Sequence, residues 1–280
     1  MNNRLKWFDI FAHAVLIAGV IIFIFPIYYA LIGSTHTLDA ILNAPMPLIS
    51  GTEFMNNYQE ALFRESAFSA SAGLMMLNSL IVAVAITAGK IALSLLAAFA
   101  IVYFNFRFKT LLFAMIFITL MLPIEVRILP TYEVIADLEM LNSYAGLTIP
   151  LLASATGTFL FRQFFLTVPK ELVEAAKIDG ASPMRFFFSI LLPLSRTNIS
   201  ALAVIMFVYG WNQYMWPLLI TTDYKMTTIV VGISQMIKAV DAAAPWHIIM
   251  ATAILALLPP VLVITFMYRW FVKGLVDIEK

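Results

Sequence analysis

Apolar residues run along this chain in long blocks, and the polar residues between them are confined to short segments. Six blocks read as spans: residues 10–32, 74–103, 110–129, 144–166, 197–220 and 246–271. A run such as Ile10 to Ile32 can cross ~30 Å of hydrocarbon at about 1.5 Å per residue. Lipid offers no water to backbone N–H and C=O groups, so spans of this kind must bond internally and are predicted to be helices. Lys90 interrupts the second block, and Pro123, Glu125, Arg127 and Pro130 crowd the far end of the third. The expected fold is all-α and integral to the membrane, with residues 1–280 as one transmembrane domain.

Composition supports the pattern. Of 280 residues, 62% are hydrophobic and 12% charged, far from the balance of a soluble domain of this size. A net charge of +1 gives no reason to expect nucleic acid as a partner. The absence of cysteine excludes disulfides, thiol catalysis and cysteine metal sites. His13, His36 and His247 lack ligand spacing, so no metal is expected. The first apolar run follows Arg4 and Lys6 and exceeds the core of a cleaved signal peptide, so it is expected to stay as the first span.

Charge asymmetry orients the spans. Six crossings place both termini on one side. The inner segments would then hold twelve of the 17 lysines and arginines and the outer segments four, with Lys90 inside a span. This bias favours cytoplasmic termini and a cytoplasmic loop at 167–196. Gly89-Lys90 lacks the upstream glycine of a phosphate-binding loop, so the chain is not expected to bind ATP or to be an enzyme. Acids cluster in loops and at span ends rather than near a midplane, which disfavours an ion-coupled secondary transporter.

The loop at 167–196 is a charged island with helix punctuation. Pro169 suits a helix start and Glu171 the positive end of the dipole. The run Leu172 to Ile178 contains good helix formers and meets Gly180, which suits a left-handed C-terminal position. Ser182-Pro183 reads as a cap and first position of a second short helix, Met184 to Leu191, ending near Pro193. Ala175 and Ala176 give a small face that another surface could approach closely, and Glu174 and Asp179 could orient it through hydrogen bonds or ion pairs. Helix physics alone equally allows an amphipathic connector lying on lipid headgroups.

Glu174-Ala175-Ala176, three residues, Gly180, nine residues, then Ile190-Leu191-Leu192-Pro193 resembles the signature loop of permease subunits of bacterial ABC importers. Asn78-Ser79-Leu80, Trp211-Asn212-Gln213 and Trp216-Pro217-Leu218 are similar to its carbohydrate-uptake branch. Phe117 to Arg127, Phe159 to Phe165 and Phe271 to Asp277 resemble the members that take up sn-glycerol-3-phosphate. The resemblance implies a type I importer permease fold in the bacterial cytoplasmic (inner) membrane. It implies as partners a second homologous permease, two copies of a cytoplasmic ATPase subunit and an extracytoplasmic substrate-binding protein. ATP would be bound by the partners, with no cofactor on this chain. The loop, including Glu174, Ala175, Ala176, Asp179, Gly180, Ile190, Leu192 and Pro193, would act as a coupling helix on the ATPase. Glycerophosphodiesters, or a neutral sugar or oligosaccharide, are the alternative cargoes.

Lys90, Asn212 and Gln213 are the candidate pathway residues. A lysine inside a span costs ~2.5–3.5 kcal/mol on insertion scales and commonly faces protein or water. It could attract an anionic solute, snorkel, or pair with an acid. Asn212 and Gln213 pair amides with the aromatic rings that polyols favour, whereas Trp216 suits anchoring. Glu125 and Arg127, two residues apart, would not share a helix face and are read as structural or gate residues.

Overall fold

The computed structural model describes residues 2–65, 70–119, 124–238 and 244–276, without the side chains of 2–6, 8, 124–125 and 269–276. The described residues contain helices and no strand. In chain order they are α1 (Asn2–Gly33), α2 (Leu38–Leu42), α3 (Phe54–Phe63), α4 (Ala72–Tyr103) and α5 (Lys109–Ile118). Next come α6 (Ile124–Asp137), α7 (Tyr144–Thr148), α8 (Ala155–Thr167), α9 (Lys170–Ile178) and α10 (Pro183–Phe186). The rest are α11 (Leu192–Leu194), α12 (Arg196–Trp211), α13 (Met215–Ile220), α14 (Ile229–Lys238) and α15 (Trp246–Val276).

Among the described residues, Asp9–Gly33, Ala72–Tyr103 and Trp246–Tyr268 are each long and apolar enough to cross a membrane. Two further candidates are bent pairs. Tyr144–Leu151 meets Ala155–Thr167 at 47°, and Pro183–Leu194 meets Arg196–Trp211 at 73°. The block 144–166 is therefore not one straight helix. A 3-10 turn carries Pro150, and Ser154 caps α8 by accepting the Gly157 N–H at 3.1 Å. The block 197–220 divides between α12 and α13. Pro217 lacks an N–H, and its ring would collide with the Gln213 carbonyl in a continuous helix. The block 110–129 contains α5 and the start of α6, and the intervening 120–123 lie outside the described residues.

The chain forms two compact units. The first comprises Met1–Met75 and Gly232–Leu258. Here the segment after α1 is tied down by polar side chains. Asn57, buried on α3, donates to the carbonyls of Ser34 and His36, both at 2.9 Å. Thr35 Oγ1 accepts the Gly51 N–H at 2.7 Å. These bonds satisfy buried backbone groups that no regular element serves.

The second unit comprises Met76–Val231 and Pro259–Lys280. One of its clusters packs Phe99, Phe161, Phe165, Phe186, Phe187 and Leu191 with Leu202 and Met206. Another gathers Val82, Ile86, Ile135, Leu147, Trp216 and Ile220. Helices α4 and α12 cross at Gly210, where a Cβ would stand 2.9 Å from Ala83 Cα. Only glycine permits so close a backbone approach, the usual device for packing helices in lipid. At the end of α4, buried Asn78 donates to the carbonyls of Lys225 (2.7 Å) and Thr227 (3.0 Å) and accepts from the Tyr144 hydroxyl (2.6 Å). The neighbouring Ser79 Oγ accepts the Ile229 N–H at 2.8 Å. The sequence segment Asn78-Ser79 thus fastens the segment leading into α14.

Candidate functional site

The loop helix α9 is built as its punctuation predicts. Pro169 stands at its N-cap in an extended conformation and Glu171 in the first turn. At its end Gly180 has φ +70°, its N–H bonds the Lys177 carbonyl at 3.0 Å, and the Ala181 N–H reaches the Ala176 carbonyl at 2.9 Å. This is a Schellman cap with glycine at its left-handed position. Ser182 then caps α10, its hydroxyl accepting the Arg185 N–H at 3.3 Å, with Pro183 at the first turn.

The second loop helix ends beside Pro193, as expected: helical structure runs from Pro183 to Leu194, with a π-helical stretch at Phe187–Leu191. The proline ring crowds the carbonyl four residues earlier, and the wider π turn before it relieves that clash. Leu191 is fully buried, Ile190 and Leu192 are half-buried, and Pro193 is exposed.

The two alanines part company. Ala175 is exposed, whereas Ala176 is buried in the cluster with Leu95, Phe161 and Phe186. The small residue at 176 thus lets α9 approach its own chain, and only Ala175 faces outward with Glu174, Asp179 and Gly180. Glu174 and Asp179 form no ion pair among the described residues. Ile178, which the sequence reading did not single out, is 85% exposed. Its one signal was an isoleucine in the otherwise polar end of α9, on a helix whose buried stripe is carried by Ala176.

The intramembrane candidates fall around two cavities in this unit. Lys90, 7% exposed, lines one of about 590 Å³ together with Ser94, Thr119, Thr158 and Tyr209. Its Nζ lies 4.5 Å from the centroid of the Tyr209 ring. The close α4–α12 crossing at Gly210 brings the two together. Lys90 makes no ion pair among the described residues. Asn212 and Gln213 line a second cavity of about 350 Å³ with Tyr214 and Trp216. Gln213 Nε2 donates to the Tyr209 carbonyl at 3.1 Å.

Arg127 lines both cavities. Sequence reasoning treated it as a local anchor, because nothing in its neighbours shows which helix it faces. The side chain of Glu125 lies outside the described residues. Trp216 is a buried anchor: its indole N–H donates to the Gly146 carbonyl at 3.1 Å.

Residues 90–277 match the family model described as "Binding-protein-dependent transport system inner membrane component". The chain belongs to this family of transport permeases. Among similar members, the sn-glycerol-3-phosphate transport system permease protein of Agrobacterium fabrum is 58% identical over 273 residues, 97% of each chain. That of Pectobacterium atrosepticum is 55% identical over 281 residues, covering both chains fully. A solved bacterial ABC transporter involved in the import of the acidic polysaccharide alginate shares the fold. Its TM-score is 0.85 at 16% identity, over 97% of this chain and 99% of the other. The permease family match includes Lys90, Arg127, the 167–196 loop, Asn212 and Gln213.

Proposed function

We propose that this permease forms, with a second homologous permease, the membrane pathway of an ATP-driven importer for sn-glycerol-3-phosphate. Full-length identity of 55–58% to permeases named for that solute carries the choice of cargo. The six-span arrangement, with both termini and the 167–196 loop on the cytoplasmic side, is the topology we adopt, on the strength of the lysine and arginine bias. An extracytoplasmic binding protein delivers the solute, and two cytoplasmic ATPase subunits bind and hydrolyse ATP.

The single observation that supports a coupling role for the loop is its two-sidedness. Ile178 stands out at 85% exposure, with Glu174, Ala175 and Asp179 exposed beside it, while Ala176 is buried on the inner side. An exposed isoleucine ringed by polar groups is the kind of anchor a partner's cleft desolvates. The inner side shares one packed cluster with Phe99 of α4, Phe161 and Phe165 of α8, and Leu202 and Met206 of α12. Close-packed interiors transmit displacement rather than absorb it. A push on α9 therefore moves three long helices together, as rigid-body switching requires. Asn78 and Ser79 hold the other end of α4 to the segment at 225–229, so the motion is carried along that helix.

Copurification tests the reading. The ATPase subunit should come down with this chain in mild detergent, and Ile178→Asp should release it while membrane insertion persists. An ATPase subunit that never associates, with uptake driven by an ion gradient, would replace the importer by a secondary transporter.

A further inference from the structure

We infer that this subunit itself holds a two-station path for a phosphate group, with Arg127 shared between an outer station at Asn212 and Gln213 and an inner station at Lys90. The inference rests on the phosphorylated cargo proposed above and adds where in the chain that cargo's charge is received.

A lysine on the middle of an apolar helix is costly unless something offsets its charge. Lys90 is buried from bulk solvent, has no carboxylate partner among the described residues, and opens onto a cavity large enough for a small solute. Its close partner among the described residues is the Tyr209 face, which steadies the ammonium without neutralising it. Arg127 lines the same space. Two cations lining one cavity repel each other, and an anion between them relieves both. Ser94, Thr119 and Thr158 add hydroxyl oxygens to the lining; their O–H groups already donate to the carbonyls of Ser154, Ile116 and Ser154, so their oxygens accept from a polyol's hydroxyls and the phosphate is left to the two cations.

The second cavity extends this arrangement. Arg127 lines it as well, together with Asn212 and Gln213. Gln213 donates to the Tyr209 carbonyl, and the ring of the same tyrosine carries Lys90, so the two stations share a structural wall as well as a cation. Transit demands sites strong enough to admit a solute and weak enough to release it. A cationic side chain that lines both cavities provides the hand-over, and the aromatic face keeps the lysine from being a bare charge trap.

The test uses the assembled transporter with its partner permease, ATPase and binding protein in liposomes, with labelled sn-glycerol-3-phosphate as the probe. Lys90→Met and Arg127→Gln should each lower maximal uptake about 10-fold or more, the loss expected for a charged contact. Lys90→Arg, which restores the charge, should return uptake to within roughly 3-fold of the original chain. ATPase copurification reports assembly of each variant, and if Lys90→Met does not assemble, Arg127→Gln and Lys90→Arg carry the test. No uptake by the unmodified complex would sink the cargo assignment itself. Normal uptake with normal uptake by Lys90→Met and Arg127→Gln would overturn the path alone. So would an assembled Lys90→Arg as impaired as Lys90→Met. A copurified phospholipid lost from Lys90→Met while uptake stays intact would assign the cavity to a lipid headgroup, and would also overturn it.

Discussion

Gly180 offers the sharpest test of the loop. Its φ is +70°, and an added Cβ would meet nothing within 4 Å. Any penalty of substitution is therefore a backbone penalty and not a collision. An L-residue in the left-handed region costs roughly 1–2 kcal/mol, and Asn is tolerated better than other side chains. A β-branched residue pays more, about 2–3 kcal/mol. The cap holds Ala181 and Ser182 in place through the Ala181–Ala176 and Gly180–Lys177 bonds, so its loss lets the α9–α10 turn open. Since about 1.4 kcal/mol is tenfold in population, Gly180→Val should reduce the formed cap about 30- to 150-fold relative to its open forms. Binding-protein-stimulated ATPase and solute uptake, measured in liposomes, should fall in the order Gly, Asn, Ala, Val. Membrane insertion should be unaffected, because the position is exposed and outside the packed cluster. Unchanged coupling in Gly180→Val would refute the reasoning. So would Asn as damaging as Val, because that pattern points to lost space rather than backbone conformation.

Three further outcomes follow from the packing. Asn78→Ala should cost about 1–3 kcal/mol by leaving the buried Thr227 carbonyl unpaired and removing its bonds to the part-buried Lys225 carbonyl and Tyr144 hydroxyl, seen as a lower melting midpoint of the purified chain in detergent. Ala176→Leu should destabilise the chain itself by about 1–3 kcal/mol through overpacking, whereas the exposed Ala175→Leu should leave the melting midpoint unchanged and weaken ATPase copurification. Trp216→Phe, which removes the indole N–H bonded to Gly146 O, should cost about 1 kcal/mol in the same melting assay.

What could be read in the sequence was what is local. Pro169, Gly180 and Ser182 act on backbone groups within a few residues, and their caps stand where residue chemistry puts them. Long apolar blocks likewise fixed α1, α4 and α15, because span length depends on composition alone. The breaks were partly written in proline. Pro217 divides the fifth block and Pro193 follows a π turn, yet hydropathy averages over both. What stayed hidden depends on tertiary contact. Asn78 finds a carbonyl 147 residues away, Ala176 turns inward, and Arg127 joins two cavities that also draw on α8, α12 and the segment after it. No spacing rule along one helix reports which helix lies opposite.

The central claim is that this permease carries sn-glycerol-3-phosphate by using ATP hydrolysed on partner subunits. The most direct measurement is uptake by the complete complex reconstituted in liposomes. It would compare sn-glycerol-3-phosphate, a glycerophosphodiester and a neutral sugar, with ATP supplied only to the ATPase side. The account predicts accumulation of sn-glycerol-3-phosphate that requires ATP, the binding protein and an intact Glu174–Pro193 loop. Accumulation of the neutral sugar alone, or uptake that continues on an ion gradient without ATP, would contradict it.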